Sequence, residues 1–198
     1  MLSRPTLCGA AAVVLSLLAM PVGTGCSGDV GTGTGGGTST GGSTTSGTTT
    51  TVARPLLTPN GVGLSPDGRT LYYAETAGAR LWAYDITAPG VVQKHAWPSP
   101  NGGRMLAASP GGHLQRFDSL AVDVLGNICV ATLMHGGISV ISPDGSLVSH
   151  VPLPDRMTTN LCFGGPALRT VSVTLSGTGK LVAIDDWPIP GLALNHNA

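Results

Sequence analysis

The sequence is poor in charge. Of its 198 residues 10% are Asp, Glu, Lys or Arg, ten acidic and ten basic side chains cancel to a formal net charge of zero, and no Lys/Arg cluster marks a phosphate-binding surface. That balance argues against a nucleic-acid partner. Glutamate occurs once, at Glu75. Cysteine is scarce as well. Of four, Cys8 and Cys26 lie near the N terminus, and Cys129 and Cys162 stand inside apolar strand-like runs, which predicts two buried thiols rather than a disulfide scaffold. The longest apolar stretch, LCGAAAVVLSLLAM within the first 20 residues, is too short to span a bilayer comfortably. No haem or flavin motif is present, which speaks against redox work.

What the N-terminal quarter does hold is an export grammar. A basic start at Arg4 leads into that apolar stretch, the pattern of a secretory signal over residues 1–25. Thr24 and Gly25 then precede Cys26, an arrangement that resembles the bacterial lipobox, with Gly23 where that pattern prefers Leu. The expectation is cleavage before Cys26 and its lipidation, and export to the bacterial cell envelope. Ser27 in place of an acidic residue points to the outer membrane. Residues 26–54 are dominated by Gly, Thr and Ser. Too little apolar surface is available there to offset the entropy of ordering, so a tether is predicted, with an end-to-end distance of roughly 25 to 30 Å.

The remainder, residues 55–198, repeats itself. NGVGLSPDGRTLYYAETAGARLWAYD begins at Asn60, DSLAVDVLGNICVATLMHGGISVISPDG at Asp118, and TNLCFGGPALRTVSVTLSGTGKLVAID at Thr159. Each reads as an alternating strand, a Gly turn, a second strand, a Gly-containing loop and a third strand near Leu81, Ile138 or Leu181. Val62 and Leu64, Leu120 and Val122, and Leu161 and Phe163 then fall at equivalent places, with room for a fourth, outer strand per unit. Three copies of one grammar predict an all-β fold built of about three propeller blades rather than a sandwich.

NGVGLSPDGRTLYYAE with RLWAYD, FDSLAVDVLGNICVAT and TTNLCFGGPALRTVSVT resemble consecutive signatures of the regucalcin and gluconolactonase family. TNLCFGG is the least generic of these, and SPDG the most. The resemblance implies a six-bladed lactonase-type propeller holding one divalent cation, calcium or zinc, on its axis. It also implies a Glu, an Asn and an Asp as ligands, of which the last two fall on Asn60 and Asp118. The repeat independently puts Asn60 and Asp118 at one equivalent position, and an amide oxygen and a carboxylate are hard donors of the kind calcium takes. By the same resemblance Asp118 is the catalytic group that helps activate water against a lactone carbonyl polarised by the cation.

The family's first ligand, a Glu near the domain start, has no counterpart here, because the signal and tether stand in its place. Glu75, His135 and Ser176 fall in loops on the same face as Asn60 and Asp118 and offer substitutes; the plainer expectation is a solvated Glu75 near Arg80 and a water-facing His135. Three blades cannot close a ring. A truncated copy, a homodimer completing six blades and a misread gene start stay open as explanations. Two functions follow. One is a metal-dependent hydrolase of sugar lactones or related esters, with weak or no activity for want of its third ligand. The other is a non-catalytic surface lipoprotein that uses a propeller face for binding.

Overall fold

The computed structural model describes residues 50–194, Trp97 excepted; the signal, Cys26 and most of the tether lie outside the described residues. Among the described residues there is no α-helix, only strands and one 3-10 turn at Pro110–Gly112. The strands form three antiparallel sheets, one per sequence repeat.

Blade 1 comprises β1 (Pro59–Leu64), β2 (Thr70–Glu75), β3 (Arg80–Ala88), β4 (Val91–Val92) and β5 (Arg104–Ala108), with β4 and β5 both pairing with β3. Its outer strand is therefore split in two, a detail that periodicity did not foretell. Blade 2 is a four-stranded meander of β6 (Arg116–Val122), β7 (Ile128–Leu133), β8 (Gly137–Ile141) and β9 (Leu147–Pro152). Blade 3 has three strands among the described residues: β10 (Thr158–Gly164), β11 (Thr170–Leu175) and β12 (Lys180–Ile184). The two SPDG turns close different hairpins, β1–β2 and β8–β9, by one device. The Asp carboxylate accepts the N–H two residues on, Arg69 N at 3.0 Å from Asp67 and Ser146 N at 3.0 Å from Asp144.

Alternation along the strands sends successive side chains into two separate cores. Ile128 and Val130 of β7 join Tyr72, Ala74, Leu81, Phe117 and Leu120 between blades 1 and 2. Cys129 and Ala131, the residues between them, join Leu161, Val171, Val173 and Trp187 between blades 2 and 3. Every residue of β7 is buried as a result. A strand covered on both faces reads as a continuous apolar run, and ICVATL does.

Among the described residues blade 3 is packed on one face only. Leu161 and Phe163 turn toward blade 2, so Cys162 between them turns away and is exposed, whereas Cys129 is buried. The expectation of two buried thiols thus holds for one of them, since period-2 alternation places neighbours on opposite faces. Both are free.

The far face of blade 1 carries Tyr73, Trp82 and Tyr84, stacked and buried, with Ala53 and Leu56 packed against them. Residues just before β1 therefore cover this face. Glu75 ties them down: it accepts the Leu57 N–H at 3.0 Å and the Tyr73 hydroxyl at 3.3 Å, and pairs with Arg80 Nε at 2.6 Å. A solvated carboxylate was expected. Glu75 is instead 1% exposed, with both oxygens engaged, so it is a structural anchor and not a spare ligand.

Candidate functional site

Each inner strand carries a β-bulge at the same place. Asn60 and Gly61 stand opposite Ala74 alone, Asp118 and Ser119 opposite Ala131 alone, and Thr159 is the extra residue of β10. A bulge re-aims the side chain at the extra position and leaves the rest of the ladder in register. The equivalence read from the repeat therefore has a backbone cause.

Strands β1 and β6 come together at their bulges because Gly61 has no side chain. A Cβ there would lie 2.6 Å from Leu120 N and 2.7 Å from the Asp118 carbonyl oxygen. This contact brings the Asn60 amide beside the Asp118 carboxylate. Asn60 Nδ2 donates to Thr76 Oγ1 at 3.2 Å. Asp118 is buried, which pushes its carboxyl above the usual carboxylate range, and the neighbouring Asn60 amide partly offsets that rise. Among the described residues no protein group donates to this carboxylate at ordinary hydrogen-bond length.

The third bulge carries no carboxylate. Thr159 Oγ1 is spent within its own sheet, on Thr174 Oγ1 at 2.9 Å and Ser176 Oγ at 2.7 Å. Ser176 is thereby occupied, and Glu75 is committed to Arg80 and Leu57. Among the described residues no group of three or more His, Cys, Asp and Glu side chains is arranged to hold a metal ion. Asn60 and Asp118 match a hard cation in kind, an amide oxygen and a carboxylate, and fall short of one in number.

A second polar cluster went unread in the sequence. His113, from the loop entering blade 2, His135, from the β7–β8 loop, and His150 of β9 form one stack, with ring centroids 4.1 Å apart at each step and planes within 19°. His135 is thus sandwiched rather than free in water. No spacing rule announces such a stack, because its members come from three separate segments joined by the fold. Burial and neighbouring imidazoles hold His150 and His135 below the usual histidine range.

The chain is similar to known lactonases over most of this region. Residues 23–177 match the family described as the SMP-30/gluconolactonase/LRE-like region. A 6-deoxy-6-sulfogluconolactonase from Pseudomonas putida is 29% identical over 141 residues, which are 71% of this chain and 46% of that protein. A pentonolactonase from Haloferax volcanii is 29% identical over 130 residues, 64% of this chain and 41% of the relative. Among solved structures, a gluconolactonase from Xanthomonas campestris superposes with a TM-score of 0.52 at 26% identity, covering 70% of this chain and 39% of that one. A regucalcin from Agrobacterium tumefaciens, described as a calcium-binding protein, gives 0.56 at 22% identity, over 69% and 47%, and speaks to the fold alone. The chain spans less than half the length of these relatives. An all-β chain of propeller blades with these signatures in this order has one place: it belongs to the SMP-30/gluconolactonase/LRE-like family.

Proposed function

We propose that this chain carries the Asn60–Asp118 part of a cation-dependent lactonase centre and acts on sugar lactones or related esters. The observation that carries the reading is the juxtaposition of Asn60 with the buried Asp118 at two equivalent bulges in close contact. Both residues would hold the cation, calcium or zinc, which when bound supplies Lewis-acid polarisation of a carbonyl oxygen. Asp118 would take the proton from the attacking water at its carboxylate, and its raised affinity for a proton suits that role. Asn60 would orient the carboxylate through its amide. Two protein donors predict weak cation binding, at the millimolar end of protein sites, and correspondingly low hydrolysis by this chain alone.

A second copy turned about the same axis would raise the donor set to two amides and two carboxylates. Val62 and Leu64 on β1 and Leu181 on β12, 64%, 46% and 72% exposed, are the apolar side chains such a partner would meet. The N-terminal segment adds an envelope address, with lipid on Cys26. Cys26→Ala should shift the protein from the membrane fraction to the soluble one.

The central test is calcium and zinc titration of wild type, Asn60→Ala and Asp118→Ala, followed by lactone hydrolysis at saturating cation, with sedimentation in parallel. Asp118→Ala should lose cation binding and hydrolysis together, and Asn60→Ala should lose part of each. Wild-type hydrolysis that survives Asp118→Ala would refute the site.

A further inference from the structure

The histidine stack borders a pocket of about 100 Å³ lined by Pro110, Gly111, His113, Gln115, His135, Ser139, Leu147 and His150. It lies where the segment entering blade 2 folds over the half of that sheet turned toward blade 1. Ser139 and His150 are cross-strand partners in the same row as Val130, a member of the core between those blades.

The hydrogen-bond inventory of this pocket does not close from within. Gln115 is 3% exposed, and its Nε2 donates to the Pro110 carbonyl at 2.7 Å, which fixes the amide's orientation. Its Oε1 is buried without a partner. An orphaned carbonyl of this kind costs roughly 1 to 3 kcal/mol unless something donates to it. Ser139 cannot, because its hydroxyl is shared between Thr132 Oγ1 at 2.9 Å and His150 Nδ1 at 3.2 Å. His150 cannot either, since Nε2 donates to the Gly136 carbonyl at 3.1 Å. Among the described residues the His113 and His135 rings make no hydrogen bond within the protein, so each leaves one donor and one acceptor nitrogen when neutral.

We propose that this pocket on blade 2 is a binding site for a neutral polyhydroxy ligand, with Gln115 Oε1 accepting a hydroxyl and the His113 and His135 rings supplying the remaining hydrogen bonds. The lining contains no Asp, Glu, Lys or Arg, so nothing selects an ion of either sign. A hydroxyl both donates and accepts, which matches one fixed acceptor beside two amphoteric rings. The C–H faces of a polyol suit the flat imidazole surfaces and Leu147. The volume admits a two- or three-carbon end of such a molecule, the rest reaching solvent. A transition-metal ion is the less suited occupant, because stacked rings direct their nitrogens sideways and do not converge on one point.

The site is defined without Asn60 or Asp118 and does not depend on the lactonase reading. Its test is titration of the full chain with glycerol and with sorbitol, followed by the histidine ring C–H signals in NMR, with zinc as a separate arm. His113, His135 and His150 signals should move together and saturate in the millimolar range. Gln115→Leu and His113→Ala should each weaken sorbitol at least tenfold, while Asp118→Asn leaves it unchanged. His113 lies on an exposed loop, so its variant keeps the test valid even where Gln115→Leu fails to fold. Shifts that rise linearly without saturating, or that survive both variants, would overturn the proposal. Zinc saturating the three rings while sorbitol moves none of them would replace it with a metal site.

Discussion

The junction between blades 1 and 2 and the junction between blades 2 and 3 are built alike and equipped differently. Both bury an apolar cluster, both share β7, and both set a bulged inner strand beside another. Yet the first sets Asn60 beside Asp118 through a glycine contact, whereas the second presents Thr159, whose hydroxyl is satisfied by its neighbours in blade 3. The propeller grammar thus supplies a position near the axis in every blade. Chemistry arrives only where the residue at that position is left wanting a partner.

The largest effect that would break this comparison is steric. Gly61→Val forces a side chain into the backbone of Leu120 and should cost more than about 3 kcal/mol, read by urea denaturation. The matching residue at the second junction, Ser119 on β6, already carries a side chain, and Ser119→Ala should cost about 1 kcal/mol or less. Equal losses would mean that the two junctions are not distinguished by close approach.

Equipping the second junction should sharpen the contrast. Thr159→Asp places a carboxylate at the third bulge, and calcium affinity by titration should rise at least tenfold over wild type, about 1.4 kcal/mol. No gain would show that the bulge of blade 3 does not face the same point as the other two.

Disarming the first junction should stabilise it. With calcium chelated, Asp118→Asn removes a buried charge with only an amide beside it and should raise stability at pH 7 by roughly 1 kcal/mol. The sign with pH follows from the raised carboxyl: the folded state binds the proton more tightly than the unfolded one, so wild type regains ground below the unfolded value near 3.8 and loses it as pH rises through the folded one. The advantage of Asp118→Asn should therefore shrink on acidification. An advantage unchanged between pH 7 and pH 4 would place its origin elsewhere.

The histidine stack should produce the smallest effect, with the opposite slope. His135 and His150 are held below the usual value of 6.5, so the unfolded chain protonates first and stability falls as pH drops through that value. His150→Gln should flatten the decline between pH 7 and pH 5 by roughly 0.5 kcal/mol. Identical slopes would remove His150 from the account.

How much of this could be read from the sequence follows the reach of each interaction. Inner strands, turns and the equivalence of Asn60 with Asp118 were legible, because alternation and turn chemistry act over a few residues and the repeat states them three times. The split outer strand of blade 1 was not, since β4 and β5 are separated by a long loop. Glu75 looked free because Arg80 was visible nearby while the Leu57 N–H, which reaches it from the covering segment, was not. Cys162 looked buried because the run around it is apolar, and it is exposed because no sheet among the described residues packs on its side. The histidines and Gln115 are far apart along the chain, and nothing short of the fold unites them.

The double burial of β7 bears on how the protein comes apart. A strand whose odd and even residues feed different cores cannot leave one without dissolving the other, so the two junctions share a single melting event. The amides of Val130 and Ala131 can then exchange with solvent only when the whole domain opens, while β12, paired on one side and bearing an exposed Leu181, can fray by itself. The centre of blade 2 is, in that sense, the clock of the molecule: any ligand that tightens either junction slows exchange at this one strand, wherever it binds.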